Sequence, residues 1–364
     1  MKNFKRIIAL ALVFLMAVSF VGCHKKNEIA VTVGDVEFTS AYYMCALINA
    51  DSEAKTKVQE ELSEDEQSST TEIDYYSKKI DKKDYVKWVE DKAMESLKTI
   101  AAYKLLCKEN KLEISKEDES NADMYASYYW SSYGYGAYFE PNGVSQATYT
   151  QYMKDSYYAE TYFEHLYGAE GEKAIAADTV KTKMNENFVV ANVLTASYTS
   201  EMKDDEKTAL KDKFNGYLAE LQGGKRTFEA IYKEYNDVKE EEEESHEGHD
   251  HEANPHPKDE YASIIGAKDT GYDAEYYDAV KAMATGEMKI IELENNAGLV
   301  LVVKQDINAD EYYLKTLDMT VRHLIADDEY EKTIEDYAKK LKAEVNDFAV
   351  GQFKVKNIVE PSYN

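Results

Sequence analysis

The chain has 364 residues, enough for two or three domains, and 44% hydrophobic residues, enough to form a core, so wholesale disorder is excluded. Its 43 Lys and Arg against 70 Asp and Glu leave a net charge of −27, which repels phosphate backbones; no local basic patch offsets it, so a nucleic-acid partner is not expected. Three cysteines exclude a disulfide scaffold, and a single long apolar run, at the N-terminus, excludes a polytopic membrane protein.

Residues 1–22 read as a targeting segment. Lys2, Lys5 and Arg6 form a basic start, and 7–21 is an apolar stretch too short to span a bilayer comfortably. Gly22 before Cys23 resembles a bacterial lipobox, with Phe20 where Leu is usual. That resemblance implies lipidation of Cys23 and a mature protein tethered to the outer face of the cell membrane. Cys45 and Cys107 lie in apolar, helical surroundings and fit either a disulfide or two buried thiols.

From residue 28 the alternation of Ile29, Val31 and Val33, the turn Gly34-Asp35, and the alternation of Val36 and Phe38 predict a hairpin. Thr39 or Ser40 caps a following helix. A polar loop covers 62–74. Val86, Val89, Ala93, Leu97 and Ile100 recur at helical spacing and predict a long helix over about 84–108. Another helix starts near Ser115 with Asp118 and Glu119 in its first turn.

Seven of the fifteen residues in 125–139 are Tyr or Trp, and the whole chain has 31 Tyr against 11 Phe and 2 Trp. Two readings stand for this stretch. It is an irregular helix end packed on the core, or Tyr128, Tyr129, Trp130, Tyr133, Tyr135 and Tyr138 form an exposed platform for unfolded chains. Helices follow over 145–167 and 177–187.

From Phe188 the pattern turns β-like. A helix over 204–222 stops at Gly223-Gly224, and a short one covers 228–235. A short strand near 263–266, a helix near 275–284 and strands near 289–293 and 299–304 complete this region. Final helices are predicted over about 312–348 and a last β-like segment over 353–359. His323 sits among Leu317, Val321, Leu324 and Tyr330, whose spacing fits a helix.

Residues 239–257 form the sharpest change of composition, a Glu run followed by His246, His249, His251 and His256. Imidazoles so spaced, flanked by carboxylates, can wrap Zn²⁺ weakly, in competition with a plain solvated insertion. No dedicated cofactor is expected.

The order of modules is similar to that of the SurA/PrsA-type extracytoplasmic foldases. The motifs that carry the likeness are Val190-Ala191-Asn192-Val193-Leu194, the run from Gly224 through Phe228, Ala230 and Tyr235 to Asp237, then Tyr276, Ala279, Met283, Gly286-Glu287, and Gly298-Leu299-Val300. They resemble a parvulin-type peptidyl-prolyl isomerase domain over roughly 186–307. The resemblance implies an α+β chain. Residues 23–185 and the C-terminal helices of 308–364 form a mostly helical chaperone module. Inserted in it is a small parvulin-like antiparallel sheet flanked by helices, carrying an acidic His-rich insertion at 239–259.

The resemblance places the isomerase pocket at Asn192, Phe228, Tyr276, Met283 and Val300. Parvulins carry facing histidines where this chain has Asn192 and Val300, with a further polar position near Val238. Twisting an X-Pro bond crosses about 18–20 kcal/mol and needs a pocket that favours the twisted amide. The expected function is therefore a membrane-tethered chaperone for unfolded secreted polypeptides whose parvulin-like domain is inactive, with no catalytic residue assigned; the alternative is an active isomerase. A zinc-binding lipoprotein is the third expectation.

Overall fold

The computed structural model describes residues 28–62, 73–238, 256–270, 275–293 and 297–360. Cys23, most of the polar loop and most of the His-rich insertion lie outside the described residues. The chain divides into two compact units: one runs to Leu166 and resumes at Asp328, and the other is Tyr167–Asp327.

The first unit opens with β1 (Ile29–Val33) and β2 (Val36–Thr39), the expected hairpin. Thr39 ends β2 and caps α1 (Ser40–Glu60), its hydroxyl accepting from the Tyr42 N–H at 3.2 Å. A short hairpin, β3 (Lys79–Ile80) and β4 (Lys83–Asp84), leads into α2 (Tyr85–Glu109). Val89, Ala93, Leu97 and Ala101 of α2 are fully buried, as their four-residue spacing requires, and pack against α1. Next come α3 (Lys116–Ser132), the short α4 (Tyr135–Phe139) and α5 (Gln146–Tyr167).

In the second unit α6 (Ala177–Asn187) feeds β5 (Phe188–Ser197). Then follow α7 (Asp204–Gln222), α8 (Phe228–Tyr235), β6 (Ala262–Gly266), α9 (Tyr277–Lys281), β7 (Met288–Glu292) and β8 (Gly298–Gln305). The four strands form one antiparallel sheet in the order β6-β5-β8-β7. Alternate residues of β5 serve different layers. Val189 and Ala191 meet Tyr277 and Val280 of α9 on one face. On the other face, Leu194 and Ala196 meet α7 and α8.

The helix α10 (Glu311–Ala338) begins in the second unit, where Tyr313, Leu317 and Val321 pack with Val180 and Met184 of α6 onto Phe188 and Val190. This packing carries the compact unit beyond the limits 186–307. After α10 the chain departs from the expected all-helical stretch to about residue 348. It forms β9 (Ala343–Val345), which pairs antiparallel with β1, and then α11 (Asp347–Val350). Asn346 starts α11 as its cap, its side chain accepting from the Ala349 N–H at 3.2 Å. The last β-like segment is instead a 3-10 turn over Val355–Asn357, because Val355 and Ile358 insert into the first unit's core rather than alternating across a sheet.

The fold is thus α+β, mostly helical with small antiparallel sheets, as expected. Cys45 and Cys107 are separate buried thiols. Burial pushes the Cys107 thiol up to about 11, so it stays protonated and unreactive at neutral pH. Among the described residues no helix is long and apolar enough to cross a membrane.

Candidate functional site: an aromatic face and a sheet cleft

The aromatic stretch is regular. Ser115 caps α3, its hydroxyl accepting from the Asp118 N–H at 3.0 Å. Ala122 and Ala126, four residues apart and fully buried, set the inner face. The turn to α4 passes through Gly134 at φ 73°, a left-handed conformation that glycine adopts without strain. Gly136 is the second requirement: a Cβ there would meet the Trp130 Nε1 at 2.8 Å. The small residues between the aromatics thus let α4 fold back onto α3.

The six predicted aromatics then divide. Tyr129, Trp130 and Tyr138 are half-buried against the first unit's core. Burial pushes the Tyr138 phenol upward, with Glu360 adding to it. Tyr128, Tyr133 and Tyr135 are exposed at 51%, 61% and 39%. Tyr125 and Met124, which sequence reasoning left outside the named set, are exposed at 43% and 55%. Their signal was available: Tyr125 precedes Tyr128 by three residues, one helical turn.

The rings touch. Tyr128 meets Tyr133 edge-on at 5.4 Å, Tyr129 meets Tyr133 at 5.4 Å, and Tyr129 stacks with Tyr135 at 5.7 Å. Tyr125 stacks with Tyr129 at 6.4 Å. The half-buried rings therefore act as a floor on which the exposed rings are held, and pre-ordered rings lose little freedom when another chain covers them.

A second concavity in the same unit is a groove of about 410 Å³ between α2, α5 and the Asp328–Ala338 part of α10, with Ile100, Tyr103, Tyr152 and Ile334 among its walls. Sequence reasoning missed it, since its walls come from three separated helices.

The residues predicted for an isomerase pocket do not gather. Asn192 and Phe228 line one cleft of about 360 Å³ with Leu221, Met288 and Val303. Tyr276, Met283 and Val300 instead pack on the opposite face of the sheet, beside α9. The register explains this correction: Asn192 pairs with Val303, whereas Val300 lies opposite Thr195, three positions away and therefore on the other face.

On β5 the cleft falls at the one polar inward position, between Val190 and Leu194. Asn192 is only 2% exposed. Its amide donates to Asp259 Oδ2 at 2.8 Å, and its carbonyl accepts from the Gln305 side chain. Asp259 also accepts from the Tyr261 N–H at 3.0 Å. Arg226, on the rim, is held by Glu234 at 2.8 Å and donates to the Ala230 carbonyl at 2.8 Å. The Tyr217 hydroxyl and Arg226 hold the Glu234 carboxyl below its usual range. Both polar ends of Asn192 are therefore occupied within the cleft.

Val238 is exposed at the edge of the described chain. His323 lies in α10 as predicted, its Nδ1 2.6 Å from Asp327 Oδ1 one turn on. Of the four histidines of the insertion, His256 is exposed, and His246, His249 and His251 lie outside the described residues. Among the described residues no group of His, Cys, Asp and Glu is arranged to hold a metal ion.

No protein-family model matches the chain, and no curated protein matches it. Among solved structures it is similar to PrsA from Bacillus subtilis, at 14% identity and a TM-score of 0.33 over 73% of this chain and 92% of that one. It is also similar to the foldase protein PrsA from Streptococcus pneumoniae, at 12% identity and a TM-score of 0.37 over 68% of this chain and 84% of that one.

Proposed function

We propose that this chain is a membrane-tethered extracytoplasmic chaperone that shelters unfolded secreted polypeptides, and that its sheet unit is parvulin-like without isomerase activity. The observation that carries the reading is the row of exposed tyrosines on α3 and α4, resting on half-buried rings. Covering apolar surface contributes about 25 cal/mol per Å², so a few rings suffice for weak, reversible holding without a nucleotide. The tether rests on the sequence around Cys23.

The occupied Asn192 supports the second half. A twisted prolyl amide needs groups free to favour it over the planar form, and Asn192 is committed to Asp259 and Gln305. The second reading, an active isomerase, draws on the cleft beside Phe228 and Met288.

The deciding experiment is aggregation of a denatured client with the full chain and no ATP. The wild type suppresses aggregation, and the triple variant Tyr128→Ser, Tyr133→Ser, Tyr135→Ser loses most of that effect while its circular dichroism is unchanged. No suppression by the wild type at stoichiometric excess removes the chaperone reading. Turnover of a proline peptide above the uncatalysed rate, lost in Asn192→Ala, restores the isomerase reading.

A further inference from the structure

The exposed tyrosines share their helix face with a carboxylate. Along α3, Glu117, Asn121, Met124, Tyr125 and Tyr128 follow at steps that keep them within about a third of the helix circumference. Glu117 is exposed and has no ion-pair partner among the described residues. Tyr157 of α5 lies near Asp118, whose charge adds to burial in pushing its phenol upward. One end of the aromatic row is therefore acidic, in a chain of net charge −27.

Elsewhere the molecule sets its own cations over tyrosine rings. Lys213 lies 5.0 Å from the Tyr235 centroid, Lys207 5.3 Å from Tyr198, Lys104 5.6 Å from Tyr158 and Arg226 5.9 Å from Tyr217. Among the described residues, none of Tyr125, Tyr128, Tyr133 and Tyr135 has a Lys or Arg over its ring. Tyr125 and Tyr135 each turn one face to Tyr129, and all four rings stand at the surface without a cation.

We infer that this face selects arginine- and lysine-bearing segments of extended polypeptides, the cations lying over Tyr125, Tyr128 and Tyr133 while Glu117 holds them in the vicinity. The inference rests on the chaperone reading, and names which clients that surface prefers. A cation over an exposed ring adds to, and is chemically distinct from, burial of apolar area. General acidity alone would attract cations too, but its effect is screened once the Debye length falls to about 4 Å near 0.5 M salt, whereas a ring contact is screened much less.

The test uses the full chain and two fluorescent unstructured peptides of equal apolar content, one with arginines where the other has glutamates, read by anisotropy. The arginine peptide is expected to bind at least about tenfold more tightly at low salt and to keep a several-fold preference at about 0.5 M salt. Tyr128→Leu with Tyr133→Leu retains apolar area but removes the rings, and should erase the high-salt preference. Tyr128→Trp with Tyr133→Trp should restore it. Equal affinity for the two peptides, or a preference unchanged in the leucine variant, overturns the inference while leaving the chaperone reading in place. Failure of both peptides to bind, together with no suppression of client aggregation, overturns both.

Discussion

Two sets of tyrosines in the first unit show opposite uses of one side chain. Tyr42 and Tyr85 are buried, and each hydroxyl donates to a buried carboxylate at 2.9 Å, Tyr42 to Asp155 and Tyr85 to Asp51. Asp155 also accepts from Lys104 and Gln151, both at 2.8 Å. Lys55 Nζ sits 2.7 Å from Asp51 Oδ2 as an ion pair. Tyr128 and Tyr133 donate to no carboxylate among the described residues and lie at the surface. In these two pairs the buried phenols have a fixed acceptor and the exposed ones do not. A phenol with a fixed acceptor is cheap to bury, and one without it costs the desolvation of an unmet polar group.

The strongest way to break this comparison is truncation on the buried side. Tyr85→Ala removes a fully buried ring and leaves Asp51 with an unmet oxygen, so it should cost about 3–5 kcal/mol in urea unfolding. A loss under about 1 kcal/mol would show that the ring is not part of the core as described.

Alkaline pH sharpens the same contrast. Burial, then the neighbouring Asp155 or Asp51, raises the folded-state pKa of Tyr42 and Tyr85 far above the ordinary phenol value. Below about pH 10 both states keep these protons and stability is unaffected. Above it the unfolded chain ionises and the folded chain does not, so stability falls as pH rises. The slope should approach about 1.4 kcal/mol per pH unit for each such tyrosine, and Tyr42→Phe should reduce it. A urea midpoint flat between pH 9 and 11 would contradict the buried pairs.

Periodicity made much of this legible. The long helix with Val89, Ala93 and Leu97, the capped start at Ser115 and the strand from Phe188 were all readable, because helix and strand repeats are local. Exposure of the tyrosines was only partly readable: the three-residue step groups Tyr125 with Tyr128, but which rings meet solvent depends on how α4 folds back onto α3. The placement of Val300 failed for a related reason. The motif spacing gave the strand, but one residue of register decides the face, and register depends on pairing with β5, about a hundred residues away. The ending of α10 was missed because β9 follows it only to pair with β1, at the other end of the chain.

The rule on polar tips extends to the sheet unit at a smaller scale. Asn192 is buried because Asp259 and Gln305 meet both ends of its amide. Asn192→Leu keeps the volume and strands those two partners beside the cleft, so it should cost about 1–3 kcal/mol. Asn192→Leu combined with Gln305→Leu should recover part of that loss, since replacing Gln305 as well removes one of the two unmet groups. A single variant as stable as the wild type would mean that water serves Asp259 and Gln305 as well as Asn192 does.

The smallest effect on stability belongs to the exposed side, and it is the most informative about function. Tyr128→Ala removes a ring that is 51% exposed and has no hydroxyl partner among the described residues, so the unfolding free energy from urea titration should change by no more than about 0.5 kcal/mol. Tyr133→Ala should behave alike, because its contacts with Tyr128 and Tyr129 are edge-on and lie at the surface. Selection for stability alone would not keep such rings in place. If both substitutions are silent in unfolding yet weaken client holding, the tyrosine-rich face is a binding surface. If instead they destabilise the unit as Tyr85→Ala does, the row is an extension of the core, and the division between inner and outer tyrosines dissolves.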